Sequence, residues 1–190
     1  MKKELAKKIG IWMLAIALFA AHLFFRTVAH AETDSGPGWK QIHAKNGECK
    51  IAFPSPPQLI EQSFPLADGV NHLKYDVYLS PFEDRGVFLL LIATYPMPLT
   101  GGHEVAGLEG LIKGIVGHHP DNKLVFADLV NLFGYPAINF LVEGTSTYFR
   151  GQALMVGNKL FLIAMEGVKG NLDEPAYSRF SKSFKLSMNK

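Results

Sequence analysis

Two short runs of this chain are apolar at every position, Val87–Ala93 and Leu160–Met165. Each follows a turn signal (Gly86 in one case, Gly157-Asn158 in the other) and is too short for a buried helix, which predicts strands covered on both faces. A different pattern precedes them: Leu73, Tyr75, Val77 and Leu79 alternate with His72, Lys74, Asp76 and Tyr78, as in a half-buried strand. Trp39–His43 and Glu48–Phe53 predict a first pair around the turn Lys45-Asn46-Gly47, ended by Pro54-Ser55-Pro56-Pro57 because proline cannot donate to a ladder. Lys123–Leu132, Ala137–Glu143 and Tyr148–Val156 read as further strands, with Gly134-Tyr135-Pro136 turning one pair and Gly157-Asn158 forming a two-residue hairpin loop.

Helical spacing occurs twice. Apolar residues at 105, 108, 111, 112, 115 and 116 share one side of a helix. Near the C-terminus Asp173 can cap a second helix, with Glu174 and Pro175 in its first turn and Tyr177, Phe180 and Phe184 along one face. The expected class is α+β: a mostly antiparallel sheet of about six to seven strands, sandwiched between helices in three layers.

Residues 1–31 differ from everything after them. Lys2, Lys3, Lys7 and Lys8 form a basic head, Ile9–Phe25 is a 17-residue apolar run broken by Gly10 and His22, and Ala29-His30-Ala31 has the small-x-small form of a cleavage site. This order predicts a signal peptide cut after Ala31, a flexible lead-in over 32–38 and one domain over 39–187. Retention of the run as an inner-membrane anchor is the alternative, since its length is at the lower limit for spanning. Of nineteen Lys and Arg, five lie in residues 1–31, as does one of seventeen Asp and Glu, so the rest of the chain carries a formal −2. A near-neutral domain without basic clusters argues against nucleic acid as a partner.

Candidate chemistry is sparse. The single cysteine, Cys49, alternates with Ile51 and Phe53, as a small buried hydrophobe would. His118, His119 and Asp121 are the candidate metal ligands, yet adjacent histidines seldom point the same way, and a helix end followed by Pro120 accounts for them. His103-Glu104 lacks the second histidine at i+4 that a zinc-protease helix requires. Gly144-Thr145-Ser146-Thr147 is a polar turn and not a nucleophile elbow, and Gly101-Gly102 lacks the lysine of a phosphate loop. No cofactor, metal or catalytic set is expected.

One series stands apart. Gly107, Gly110, Gly114 and Gly117 form a stripe opposite the apolar side of the first helix. Four interior glycines cost about 3–4 kcal/mol relative to alanine. A weak helix held by tertiary packing, or one that ends early, accounts for them; close approach by a partner chain would also offset the cost, which makes these glycines the candidate binding face.

Several landmarks taken in order resemble the PsbP-like superfamily of exported domains. They are Trp39, the strand Lys50-Ile51-Ala52-Phe53-Pro54 with Pro57 after it, the mid-chain helix, Gly134-Tyr135-Pro136-Ala137, the Tyr148–Met165 hairpin, and Phe180-Ser181-Lys182-Ser183-Phe184-Lys185-Leu186. The resemblance implies an antiparallel sheet between helices, and a protein-binding or assembly role such as that of extrinsic photosystem subunits. No functional motif of that superfamily maps onto numbered positions here. The expectation is an exported, most simply periplasmic, non-enzymatic accessory protein that binds another envelope protein. A periplasmic small-ligand carrier with an apolar pocket is the alternative, with a hydrolase third.

Overall fold

The computed structural model describes residues 38–66, 69–98 and 103–187. The expected signal segment, with Ala29 and Ala31, and residues 32–37 of the lead-in lie outside the described residues. Among the described residues, no helix is long and apolar enough to cross a membrane.

The chain runs through β1 (Lys40–His43), β2 (Cys49–Phe53), β3 (Gln58–Pro65), β4 (His72–Phe82) and β5 (Gly86–Thr94) before its first described helix, α1 (His103–Gly117). It continues through β6 (Lys123–Leu132), β7 (Tyr135–Glu143), β8 (Thr147–Val156), β9 (Lys159–Val168), α2 (Glu174–Ser183) and β10 (Lys185–Leu186). Seven strands form one antiparallel sheet in the order β3-β4-β5-β9-β8-β7-β6. The link through α1 carries the chain from β5 to the far edge, and the meander β6 to β9 brings it back to the centre.

That topology explains the two fully apolar runs. They are β5 and β9, paired with each other in the middle of the sheet, Leu89 opposite Ala164 and Leu91 opposite Leu162. Successive side chains point to opposite faces, so each run feeds two cores. Val87, Leu89, Leu91, Leu162 and Ala164 join a mainly aliphatic core with Leu108, Leu111, Ile112 and Ile115 of α1. Phe88, Leu90, Ile92, Phe161, Ile163 and Met165 join a more aromatic core with Cys49, Ile51 and Phe53 of β2 and Tyr177 and Phe180 of α2. Within it Phe180 lies 4.7 Å from Phe88 and 5.0 Å from Phe53, ring centre to ring centre.

The architecture corrects three expectations. The first two strands do not enter the main sheet: β1, β2 and β10 form a separate three-stranded sheet in the order β1-β2-β10. The cover on the aromatic face is therefore that small sheet together with α2, and not helices alone. A strand absent from the sequence reading, β3, pairs with β4 over its whole length. The turn placed at Gly134-Tyr135-Pro136 falls at Phe133-Gly134, with φ of 56° and 87°, and Tyr135 and Pro136 already belong to β7. Pro136 is tolerated because pairing of β7 with β8 begins only at Ala137, so its missing donor breaks no ladder bond.

Other expectations are met locally. Asp173 caps α2, its carboxylate accepting the Ala176 N–H at 2.8 Å. Tyr177, Phe180 and Phe184 are all buried. Gly157-Asn158 closes the β8–β9 hairpin, with Val156 opposite Lys159 and Gly157 at φ 60°.

Candidate functional site

The two outer strands of the main sheet each pair on one side only among the described residues, and they are built differently. On β3 the sequence Gln-Leu-Ile-Glu-Gln-Ser-Phe-Pro leaves only Ile60 and Phe64 to touch the aliphatic core. On β6 the sequence Lys-Leu-Val-Phe-Ala-Asp-Leu-Val-Asn-Leu packs Ala127 on one core and Val130 and Leu132 on the other. Leu124, Val125 and Leu129 are left 45%, 53% and 55% exposed. A register shift between Leu124 and Phe126 adds one residue to the strand there. Strand β6 thus offers unpaired backbone groups and three large apolar side chains on one edge, the kind of surface another chain can extend.

Helix α1 lies over β6, β7 and β8. Its glycines do not form a uniform outward stripe. A Cβ at Gly110 or Gly117 would meet nothing within 4 Å, which is open space. Gly114 is buried beside Leu111 and Ile115, and Gly107 is half-buried. The four therefore occupy different environments, of which Gly110 and Gly117 are open.

Past the end of α1, His118, His119 and Asp121 are exposed. His119 Nδ1 accepts the Asp121 N–H at 3.3 Å and stands 3.7 Å from its carboxylate, while Thr145 donates to that carboxylate at 2.9 Å. This is a loop tying the helix end to the β7–β8 turn. Among the described residues no group of three or more His, Cys, Asp and Glu is arranged to hold a metal. Cys49 is fully buried, and burial pushes its thiol up to about 12, which leaves almost no thiolate at neutral pH.

The partly buried charges of Arg85, Arg150 and Glu48 are partnered. Arg150 of β8 is held between Tyr177 and Phe126, its guanidinium carbon 4.4 and 5.0 Å from the ring centres. It donates to Glu174 at 3.1 Å and to the Phe140 carbonyl at 3.0 Å, which ties α2 to the sheet. Arg85 donates to Asp173 at 2.7 Å and also pairs with Glu83. Burial opposes the charge on Glu48, but hydrogen bonds from Lys159 (2.8 Å) and other donors hold its carboxyl below the usual range.

Glu166 is the exception. It is 7% exposed, its Oε2 has no hydrogen-bond partner, and burial alone raises its carboxyl to about 7. The apolar run expected as a strand ends at Met165, one residue before it. The signal was present, since an acid two positions after Ala164 points to the same face as Ala164 and Leu162.

No protein-family profile matches the chain, and no curated protein matches it in sequence. Solved structures match it in fold. The chain is similar to the solution structure of cyanobacterial PsbP (CyanoP) from Synechocystis sp. PCC 6803, with a TM-score of 0.55 and 9% identity over 84% of this chain and 99% of that one. A crystal structure from Bacteroides thetaiotaomicron VPI-5482 matches at a TM-score of 0.39 and 11% identity, over 79% of this chain and 49% of that one.

Proposed function

Starting from a PsbP-like fold, we propose that this protein is an exported accessory or assembly factor that binds another envelope protein and catalyses nothing itself. The observation that carries the reading is the β6 edge. A strand paired on one side only among the described residues, with Leu124, Val125 and Leu129 exposed, gives a partner both backbone hydrogen bonds and apolar contacts. Gly110 and Gly117, open on the helix above β6 to β8, allow a partner's backbone to approach on the same side. Export is supported by the basic head, the apolar run and the Ala29-His30-Ala31 site.

The test is to cross-link the tagged protein in its native envelope, purify it, and identify by mass spectrometry what accompanies it. One near-stoichiometric protein is the expected result. Recovery of the protein alone, or with a small molecule only, contradicts the reading and favours a ligand carrier. Intact mass of the exported form should show loss of residues 1–31; a full-length mass would replace export with anchoring.

A further inference from the structure

Most buried polar side chains are retained in a core because something satisfies them, and each exception calls for a physical account. Glu166 stands on β9, the middle strand of seven, facing the aliphatic core. Directly opposite it are Phe149 on β8 and Val87 on β5, with Val142 and Pro81 one strand further out on each side. From above, α1 contributes Leu108, Leu111, Ile112 and Ile115 to this core.

The charged groups on the surrounding elements are engaged elsewhere. Glu109 and Lys113 of α1 are exposed and stand 3.8 Å apart. Glu104 is in the first turn of α1, whereas the α1 end that leads into β6 lies at Glu166's end of the sheet. His118 and His119 follow α1 in solvent, with His119 on Asp121. Glu143 alternates with Val142 onto the other face and pairs with Lys169 at 2.9 Å, and Arg150 alternates with Phe149. None of these charges couples to the Glu166 carboxyl, whose rise has burial as its one cause.

The ladder near Glu166 is short. Beyond it β9 pairs with β5 only at Gly167 opposite Gly86, and with β8 at Tyr148 and Thr147, after which the Lys169 N–H donates to the Ser146 carbonyl at 2.9 Å. Few contacts must part to bring water to the carboxylate.

We propose that Glu166 is a proton-operated latch: neutral, it lets this end of the sheet close dry, and ionised, it draws in water and parts the last pairs of β9 from β5 and β8. The sign follows from linkage. The folded protein keeps a proton that the unfolded chain releases near 4.5, so this contribution to stability falls as pH rises from 4.5 through about 7.

The experiment is an NMR pH titration of the purified protein from pH 4 to 9, following the Glu166 side-chain carboxyl and the amides of Val87, Phe149 and Gly167. The carboxyl should titrate near 7, and the three amides should move with the same midpoint. A carboxyl midpoint in the ordinary acid range overturns the proposal, and so do amides that ignore that midpoint. Urea unfolding adds a second arm. Relative to Glu166→Gln, the wild-type unfolding constant should rise roughly seventyfold between pH 5 and pH 8. A ratio that stays constant with pH overturns the latch. If Glu166→Gln does not fold, the wild-type titration still decides.

Discussion

The two edges of the main sheet answer the same problem in opposite ways. Strand β3 is defended: Gln58, Glu61, Gln62 and Ser63 face solvent along it, and Pro65 ends it. Strand β6 exposes Leu124, Val125 and Leu129, with one register shift as its irregularity. Edge strands invite unwanted pairing, and polar residues, proline and bulges are the usual protection. On β3 one large apolar side chain, Leu59, is exposed, whereas on β6 three are, between the exposed polar Lys123, Asp128 and Asn131. In the proposed function, β6 is the edge a partner would extend.

The edges also differ in how they are supported, and this gives the largest predicted effect. Beside β6, Phe140 of β7 is fully buried and fills the space over Gly151, where a Cβ would come within 2.5 Å of its ring. Beside β4, Phe64 of β3 is half-buried and touches Tyr75 at 5.6 Å between ring centres. Phe140→Ala should cost about 3–5 kcal/mol in urea unfolding. Phe64→Ala should cost about 1–2 kcal/mol. Equal costs would remove the structural half of the comparison.

Midway between the edges, Glu166→Leu should stabilise the protein by about 3 kcal/mol at pH 8 and by under about 1 kcal/mol at pH 5, read from urea unfolding at both values. A gain that does not depend on pH would mean the carboxyl is not carried neutral in the fold. Arg150→Ala removes the stacking on Tyr177 and Phe126 and the pair with Glu174, at about 1–2 kcal/mol. Its loss should loosen α2 more than either edge, a difference visible in amide exchange. Smallest in stability are Leu129→Lys on β6 and Leu59→Lys on β3, each within about 0.5 kcal/mol. The β6 change alone should abolish partner capture.

What the sequence disclosed depended on how each element meets its neighbours. Strands β5 and β9 were legible because both faces are buried, so every position is apolar. Strand β3 was not, since its two core contacts, Ile60 and Phe64, stand four residues apart and mimic neither alternation nor a continuous run. The pairing of β2 with β10 rests on two residues, Lys185 and Leu186, too few to leave a pattern. The β6–β7 turn was displaced because Phe133 adopts a positive φ that bulky residues seldom take, so Gly134-Tyr135-Pro136 looked the better turn. At the candidate site, wheel geometry placed the four glycines on one stripe but could not say what lies against it, and Gly114 is buried. The exposure of β6 was hidden for a related reason: an edge strand and an inner strand share an apolar composition, and only topology distinguishes them.

A photo-activatable cross-linking residue placed at Leu129 of β6, and separately at Leu59 of β3, shows which edge a partner uses when each protein is irradiated in its native envelope. The Leu129 position should capture one protein near stoichiometrically and the Leu59 position should not. Capture of that protein from Leu59 alone, or equal capture from both edges, would contradict the proposed role of β6.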